Sequence, residues 1–124
     1  MRIFKNKWFA KFAEKEGISD AKLCKAVKDA ESGKIDADYG SGVIKQRIAR
    51  PNAGKSGGYR SVILYYRGKR AFFVYGFPKS KRENIDEAEE RDFKDLAKML
   101  FSLSDSELAN LVNTGIYEEI KCND

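Results

Sequence analysis

The side chains that could do chemistry in this sequence are lysines and arginines concentrated in its middle third. Residues 43–84 contain eleven basic residues and one acidic residue, whereas the rest of the chain contains 13 basic and 18 acidic residues. The total net charge of +5 therefore combines +10 in the middle with −5 elsewhere. Such a concentration of positive charge is typical of a surface that binds phosphate groups. The alternative is a solvated, charged sheet surface without a ligand.

Histidine is absent from the 124 residues, and this absence narrows the possible reactions. It excludes Ser-His-Asp and Cys-His nucleophile pairs, histidine-ligated metals and a ribonuclease mechanism that uses two histidines. Catalysis by this chain must therefore use Lys, Arg, Tyr, Ser or carboxylate side chains. The sequence indicates no metal and no cofactor.

Two segments supply most of the charge. Residues 50–60 (RPNAGKSGGYR) combine three glycines with basic side chains, so that backbone amides can approach an anion closely, and Tyr59 could stack on a base. Residues 78–84 (PKSKREN) follow an apolar run. The basic candidates in and beside these segments are Lys45, Arg47, Arg50, Lys55, Arg60, Lys79, Lys81 and Arg82. If the strands pair in sequence order, these side chains converge near one end of a sheet.

Helical patterns occupy both ends of the chain. Phe4, Trp8 and Phe12 recur at helical spacing up to Gly17, which predicts a first helix with its aromatic residues, Trp8 included, in the core. A second helix is predicted from an N-cap at Ser19 to residues 32–33. Two capping boxes, Asp86 with Glu89 and Ser104 with Glu107, predict two further helices, the last ending at Gly115.

The middle of the chain has the pattern of strands. Residues 43–49 alternate Lys45 and Arg47 on one face with Ile44, Gln46 and Ile48 on the other. Residues 61–67 and 71–77 are apolar runs joined by a tight turn at 68–69. The predicted fold is therefore α+β: a small twisted antiparallel sheet of three or four strands, packed with N-terminal and C-terminal helices.

Length and composition predict one domain over residues 1–124. Cys24 and Cys122 stand 98 positions apart without a paired spacing, which predicts reduced thiols in a cytoplasmic protein. The N-terminal residues lack the apolar core of a signal peptide, and no apolar run is long enough to span a membrane.

The string KQRIARPNAGKSGGYRSVILYYRGKRAFFVYGFPKSKRENI resembles RelE/HigB-type toxins of bacterial type II toxin-antitoxin systems. It is most similar to a RelE-like branch with a GKSGGYR loop and a strand end of the YGFPKS type. The resemblance extends over essentially the whole chain. It implies a microbial RNase fold, cleavage of messenger RNA in the ribosomal A site, and neutralisation by a cognate antitoxin, often a small helix-turn-helix protein.

The resemblance also implies roles for individual residues. Arg60 would stabilise charge on the scissile phosphate, and Lys79 and Lys81 would join it in catalysis. Lys45, Arg47 and Arg82 would position the RNA. The composition of the loop, and not the resemblance, predicts that Arg50, Lys55 and Tyr59 also bind RNA. A lysine that moves protons would need its pKa of about 10.4 lowered by neighbouring cations.

The general base stays open. Where related toxins carry a tyrosine or histidine, residues 83–86 read Glu-Asn-Ile-Asp, so that Lys79, Lys81, Glu83 and Tyr59 are all candidates. An alternative function is a non-catalytic RNA-binding or regulatory protein on the same fold, and a further one is a structural partner in a complex. Codon preference, ribosome dependence, oligomeric state and the mode of neutralisation do not follow from the sequence.

Overall fold

The computed structural model describes residues 1–50 and 58–123, in which ten elements form an α+β fold. Six strands join in one mixed sheet in the order β2-β3-β4-β5-β1-β6, so the predicted class is correct, but the sheet is larger than the predicted three or four strands. The elements in chain order are β1 (Arg2–Asn6), α1 (Lys7–Glu16), α2 (Asp20–Glu31), β2 (Ala37–Gly40), β3 (Val43–Ile48), β4 (Tyr59–Tyr66), β5 (Arg70–Pro78), α3 (Glu87–Phe101), α4 (Asp105–Asn113) and β6 (Tyr117–Ile120).

The centre of the sheet is the predicted antiparallel meander. Strand β4 pairs with β3 on one side and with β5 on the other. A turn at Gly68, which has a φ of 74°, joins β4 to β5. Across this turn, Lys69 N donates a hydrogen bond to Tyr66 O at 2.9 Å. Strand β4 is buried along almost its whole length because helices cover both faces of the sheet.

The two helix pairs lie on opposite faces. Helices α1 and α2 pack on one apolar cluster that includes Phe9, Leu23 and Phe73, and α3 and α4 pack on another that includes Phe72 and Leu100. Both predicted capping boxes are present at the starts of α3 and α4. None of the helices within the described residues is long and apolar enough to cross a bilayer.

Strand β1 corrects the prediction that Phe4 belongs to the first helix. Phe4 instead lies in a strand that pairs in parallel with β5, and its ring stacks on Phe72 with 5.1 Å between centroids. The helix begins only at Lys7, because the Asn6 side chain caps it by accepting a hydrogen bond from Phe9 N at 2.7 Å. The apparent period of four arose because a five-residue strand leads directly into a helix.

Strand β6, which the sequence analysis did not predict, explains a second correction. It pairs antiparallel with β1, with Ile120 opposite Ile3, and so carries the chain end back to α2. There Cys122 forms a disulfide with Cys24, with 5.9 Å between their Cα atoms. The prediction of two reduced thiols is therefore wrong, since a separation of 98 residues in sequence says nothing about separation in space.

Gly76 allows α1 to lie close against β5. A Cβ atom at this position would lie 2.6 Å from Phe12 Cε2 and 3.2 Å from Phe9 Cε2. We therefore expect Gly76→Ala to lower the free energy of unfolding by about 1–3 kcal/mol, measured by urea denaturation. Adding Phe12→Leu should make the double variant lose less than the sum of the single losses. A Gly76→Ala protein as stable as the wild type would contradict this packing.

Candidate functional site

Three of the predicted basic side chains lie on one face of the sheet, the face that α3 and α4 cover. Strand β3 turns Ile44, Gln46 and Ile48 into the interior and leaves Lys45 and Arg47 on the other face, as predicted. Arg47 stands directly opposite Arg60 on β4. Like charges opposite each other destabilise a sheet, so this arrangement requires an anion.

The anion in the free protein is the carboxylate of Asp36. Its oxygens lie 3.3 Å from Arg60 Nε, 3.6 Å from Arg47 Nε and 3.7 Å from Lys45 Nζ. Asp36 is held in place by its backbone N–H, which donates to Gln46 Oε1 at 2.9 Å. We call Asp36, Lys45, Arg47 and Arg60 the cationic cluster.

Sequence reasoning missed Asp36. The residue precedes a short edge strand and belongs to no motif, and only the pairing of β2 with β3 brings it to the basic residues. One local feature of the sequence could have pointed to this region, since Gln46 is a polar residue on the face of β3 that otherwise carries isoleucines. Its buried amide donates to Ala26 O and Lys34 O, both at 2.9 Å, and this anchors the chain segment that carries Asp36.

Arg60 is the most buried cation of the cluster. Only 6% of its side chain is exposed, against 57% for Arg47. A guanidinium withdrawn from water is stable only beside an anion, and its fork of N–H donors matches the oxygens of a phosphate as well as those of a carboxylate. The cations of the cluster could therefore bind a phosphate group in the place that the Asp36 carboxylate occupies in this structure.

The turn after β5 adds a second group of contacts beside the cluster. Lys45 Nζ donates to Glu83 O at 3.1 Å and to Asn84 Oδ1 at 3.2 Å, and the Tyr39 hydroxyl also donates to Asn84 Oδ1. Strands β3, β4 and β5 thus bring the cationic cluster and residues 82–84 together at one end of the sheet. Of the basic side chains that were predicted to converge, these contacts include Lys45, Arg47, Arg60 and Arg82.

Arg82 ties this turn to α3. It donates hydrogen bonds to the Glu89 carboxylate and, at 3.1 Å, to the Tyr75 hydroxyl, and its guanidinium lies 5.7 Å from the ring centres of both Tyr75 and Phe77. The side chains of Lys79 and Lys81 make no ion pair with the described residues, and Lys81 is exposed. The backbone N–H of Lys79 extends the hydrogen bonding between β4 and β5 by one residue, since it donates to Gly58 O at 3.1 Å.

Tyr59 corrects a prediction. The residue is 3% exposed, and its ring packs against Phe12 on the face of the sheet opposite Arg60, because neighbouring residues of a strand point to opposite faces. The hydroxyl donates to Glu16 Oε1 at 3.0 Å, and burial raises its pKa. Tyr59 is therefore no surface for base stacking. The guanidinium of Arg50 lies 5.8 Å from the centre of this ring. Lys55 lies outside the described residues.

The Arg82–Glu89 pair makes stability depend on pH. The hydrogen bonds from Arg82 hold the pKa of Glu89 below its usual value, so the pair stabilises the fold above about pH 4.3, the unfolded pKa, and this contribution is lost as pH falls through the lower folded pKa. We expect Glu89→Gln, which can still cap α3, to cost about 1 kcal/mol at pH 7 in urea denaturation, and less below about pH 4.

The matched control is Glu90→Gln, because Glu90 pairs with Lys94 within one helix at 3.0 Å. A surface pair of this kind contributes about 0.3–0.5 kcal/mol. Equal losses for the two variants at neutral pH, or a loss for Glu89→Gln that does not change with pH, would contradict the assigned role of Glu89.

The fold is that of a small α+β protein that carries the cationic cluster on one face of its sheet. No three His, Cys, Asp or Glu side chains within residues 1–50 and 58–123 come together as a metal site would require. Residues 1–120 match the sequence model of the family described as "RelE toxin of RelE / RelB toxin-antitoxin system". The chain belongs to this family of toxins, whose members pair with an antitoxin. A comparison with curated proteins finds no significant match.

Proposed function

We propose that this toxin is a ribosome-dependent endoribonuclease that cuts messenger RNA and so stops translation. The observation that carries the proposal is the cationic cluster, in which Lys45, Arg47 and Arg60 surround a single anion on an end of the sheet. An RNA phosphate presents the same charge and the same oxygen geometry to these side chains.

The reaction that fits these side chains is attack by a ribose 2′-hydroxyl on the adjacent phosphorus. The hydroxyl loses its proton, the bond from 2′-oxygen to phosphorus forms, and the bond from phosphorus to the 5′-oxygen breaks. The 5′-oxygen takes up a proton, which leaves a 2′,3′-cyclic phosphate and a 5′-hydroxyl. Arg60 stabilises the charge that grows on the phosphate oxygens in the transition state.

We propose that residues just after the end of β5 transfer the protons. Lys79 and Lys81 follow β5 directly and are proposed to exchange protons with the 2′- and 5′-oxygens. Of the other candidates for the general base, Tyr59 is excluded by its burial and Glu83 stays open, while Asp36 joins the list because its carboxylate already lies at Arg60. The remaining basic candidates, Arg50, Lys55 and Arg82, are proposed to bind the RNA backbone.

The partners follow from the same surface. The substrate is a messenger on the ribosome, which requires the protein to act in the bacterial cytoplasm. The cognate antitoxin is proposed to be a small helix-turn-helix protein that lays an acidic segment over the cationic cluster, where complementary charge favours association. Replacement of Lys45 and Arg47 together should then weaken the binding of antitoxin and RNA alike.

Induced expression in a bacterium tests the proposal. Growth should arrest, and primer extension should find new 5′ ends in translated messengers but not in the same messenger without a ribosome-binding site. Growth arrest with intact messengers would contradict the nuclease and favour the alternative, a protein on the same fold that binds RNA without cutting it.

A further inference from the structure

Trp8, the only tryptophan of the chain, lies on the surface instead of in the core. Its residue is 45% exposed, which corrects the prediction that it is buried with Phe9 and Phe12. One side of its ring stacks on Phe12, with centroids 5.3 Å apart and planes 15° apart, and the ring also contacts Tyr75 at 4.7 Å. Trp8 is therefore held by aromatic neighbours and exposed to solvent at the same time.

This aromatic surface is connected to the cationic cluster through strand β5. Strand β1 pairs with β5 only as far as Phe73, so that Trp8, two residues after the end of β1, flanks β5 at Tyr75. Tyr75 and Phe77 share a face of β5, with ring centroids 5.9 Å apart, and Phe77 stands opposite Arg60 in the register. Neighbouring strands are about 4.8 Å apart, so Trp8 lies about two strand spacings from the strand of Arg60.

Positive charge continues around Trp8. Lys7 and Lys11 are exposed on the same helix, and Arg82 donates to the hydroxyl of Tyr75, the residue that Trp8 contacts. An exposed aromatic ring bordered by cations is the combination that binds single-stranded nucleic acid, where bases stack on rings while cations follow the backbone. A surface for an apolar protein segment would not require cations on its border.

We propose that Trp8 and Tyr75 form a stacking site for one base of the RNA strand whose phosphate binds at the cationic cluster. The inference rests on the proposed function and adds a base subsite to it. It assigns the base next to the bound phosphate a fixed position, and this orients the ribose for the reaction.

The single tryptophan makes the subsite directly measurable. A 2′-O-methyl RNA oligonucleotide, which cannot undergo attack by its 2′-oxygens, is titrated into the full-length protein while tryptophan fluorescence is recorded. Stacking should quench Trp8 with saturation, whereas an abasic oligonucleotide of equal phosphate number should bind without this quenching. Trp8→Ala should weaken binding of the base-containing strand about 5- to 150-fold, and Trp8→Phe by less than about 5-fold.

Tyr66→Ala is the matched control, because Tyr66 is also 45% exposed but lies at the opposite end of β4 from Arg60. Its RNA affinity should equal that of the wild type. The subsite is overturned by equal quenching with the abasic strand or by saturable binding of the base-containing strand without quenching. Messenger cleavage by the wild type in any of these cases would leave the proposed nuclease intact, whereas quenching without cleavage would support the subsite and contradict the nuclease.

Discussion

Arg60→Ala is expected to lower messenger cleavage by at least about 100-fold and to relieve growth arrest, because it removes the donor nearest the proposed phosphate position. Loss of one preorganised donor that stabilises transition-state charge has an effect of about 100- to 1000-fold in other enzymes. Arg60→Lys should recover only a small part of the rate, since an ammonium cannot form the paired hydrogen bonds of a guanidinium.

This variant should remain folded. Asp36 keeps Lys45 and Arg47 as partners when Arg60 is removed, so no buried charge is left alone. The matched control is Arg67→Ala, which removes an exposed arginine just beyond the opposite end of β4, where it donates to Glu31 O at 3.3 Å. The cleavage rates and thermal unfolding temperatures of the two variants are compared with those of the wild type. Only Arg60→Ala should lose cleavage, and both variants should remain folded. A folded Arg60→Ala protein that still cuts messenger at the wild-type rate would refute the role of Arg60.

Reduction of the Cys24–Cys122 disulfide is expected to have the largest effect on stability. The bond closes a loop of 98 residues, for which the chain-entropy model gives about 4–5 kcal/mol of stabilisation. Small domains have a total stability of about 5–15 kcal/mol, so the reduced protein should unfold at a clearly lower temperature and urea concentration. The loss of structure should begin at β6, because this strand precedes Cys122 and forms one edge of the sheet.

The Cys24→Ser/Cys122→Ser double variant is the control for this prediction. It should match the reduced wild type in stability and should not respond to a reducing agent. The proposed place of action is the cytoplasm, where thiols are mostly kept reduced, so the activity of the double variant is also informative. The three cations of the cluster lie on β3 and β4, away from β6 in the strand order. Cleavage at a temperature where the variant is folded should therefore stay near the wild-type rate. Equal unfolding of the oxidised and reduced wild type would contradict the stabilising role of the bond.

The elements that could be predicted from the sequence are those with local signals. Capping boxes at Asp86 and Ser104 mark helix starts through contacts within four residues, and the apolar runs on both sides of Gly68 identify a hairpin. The convergence of Lys45, Arg47 and Arg60 also followed from the alternation of β3 and the sequence order of its neighbours.

The features that could not be predicted depend on pairing between distant segments. Strands β1 and β6 are four or five residues long and join the sheet through each other and β5, so neither has a period that identifies it alone. The disulfide follows from that pairing, as does the place of Asp36 from the edge strand β2. Trp8 is a large aromatic residue at helical spacing from Phe4 and Phe12, which is typical of a core position. Its exposure follows from the end of β1 at Asn6, which the sequence does not reveal.

The most direct test of the central claim is analysis of messenger ends after incubation with purified protein and translating ribosomes. The cationic cluster as a catalytic phosphate site predicts fragments with 2′,3′-cyclic phosphate ends at defined positions. It also predicts that a messenger with a single 2′-deoxy nucleotide at the cut position resists cleavage there. An intact messenger in the presence of active, folded protein, or cleavage of the deoxy-substituted position at the same rate, would contradict the account.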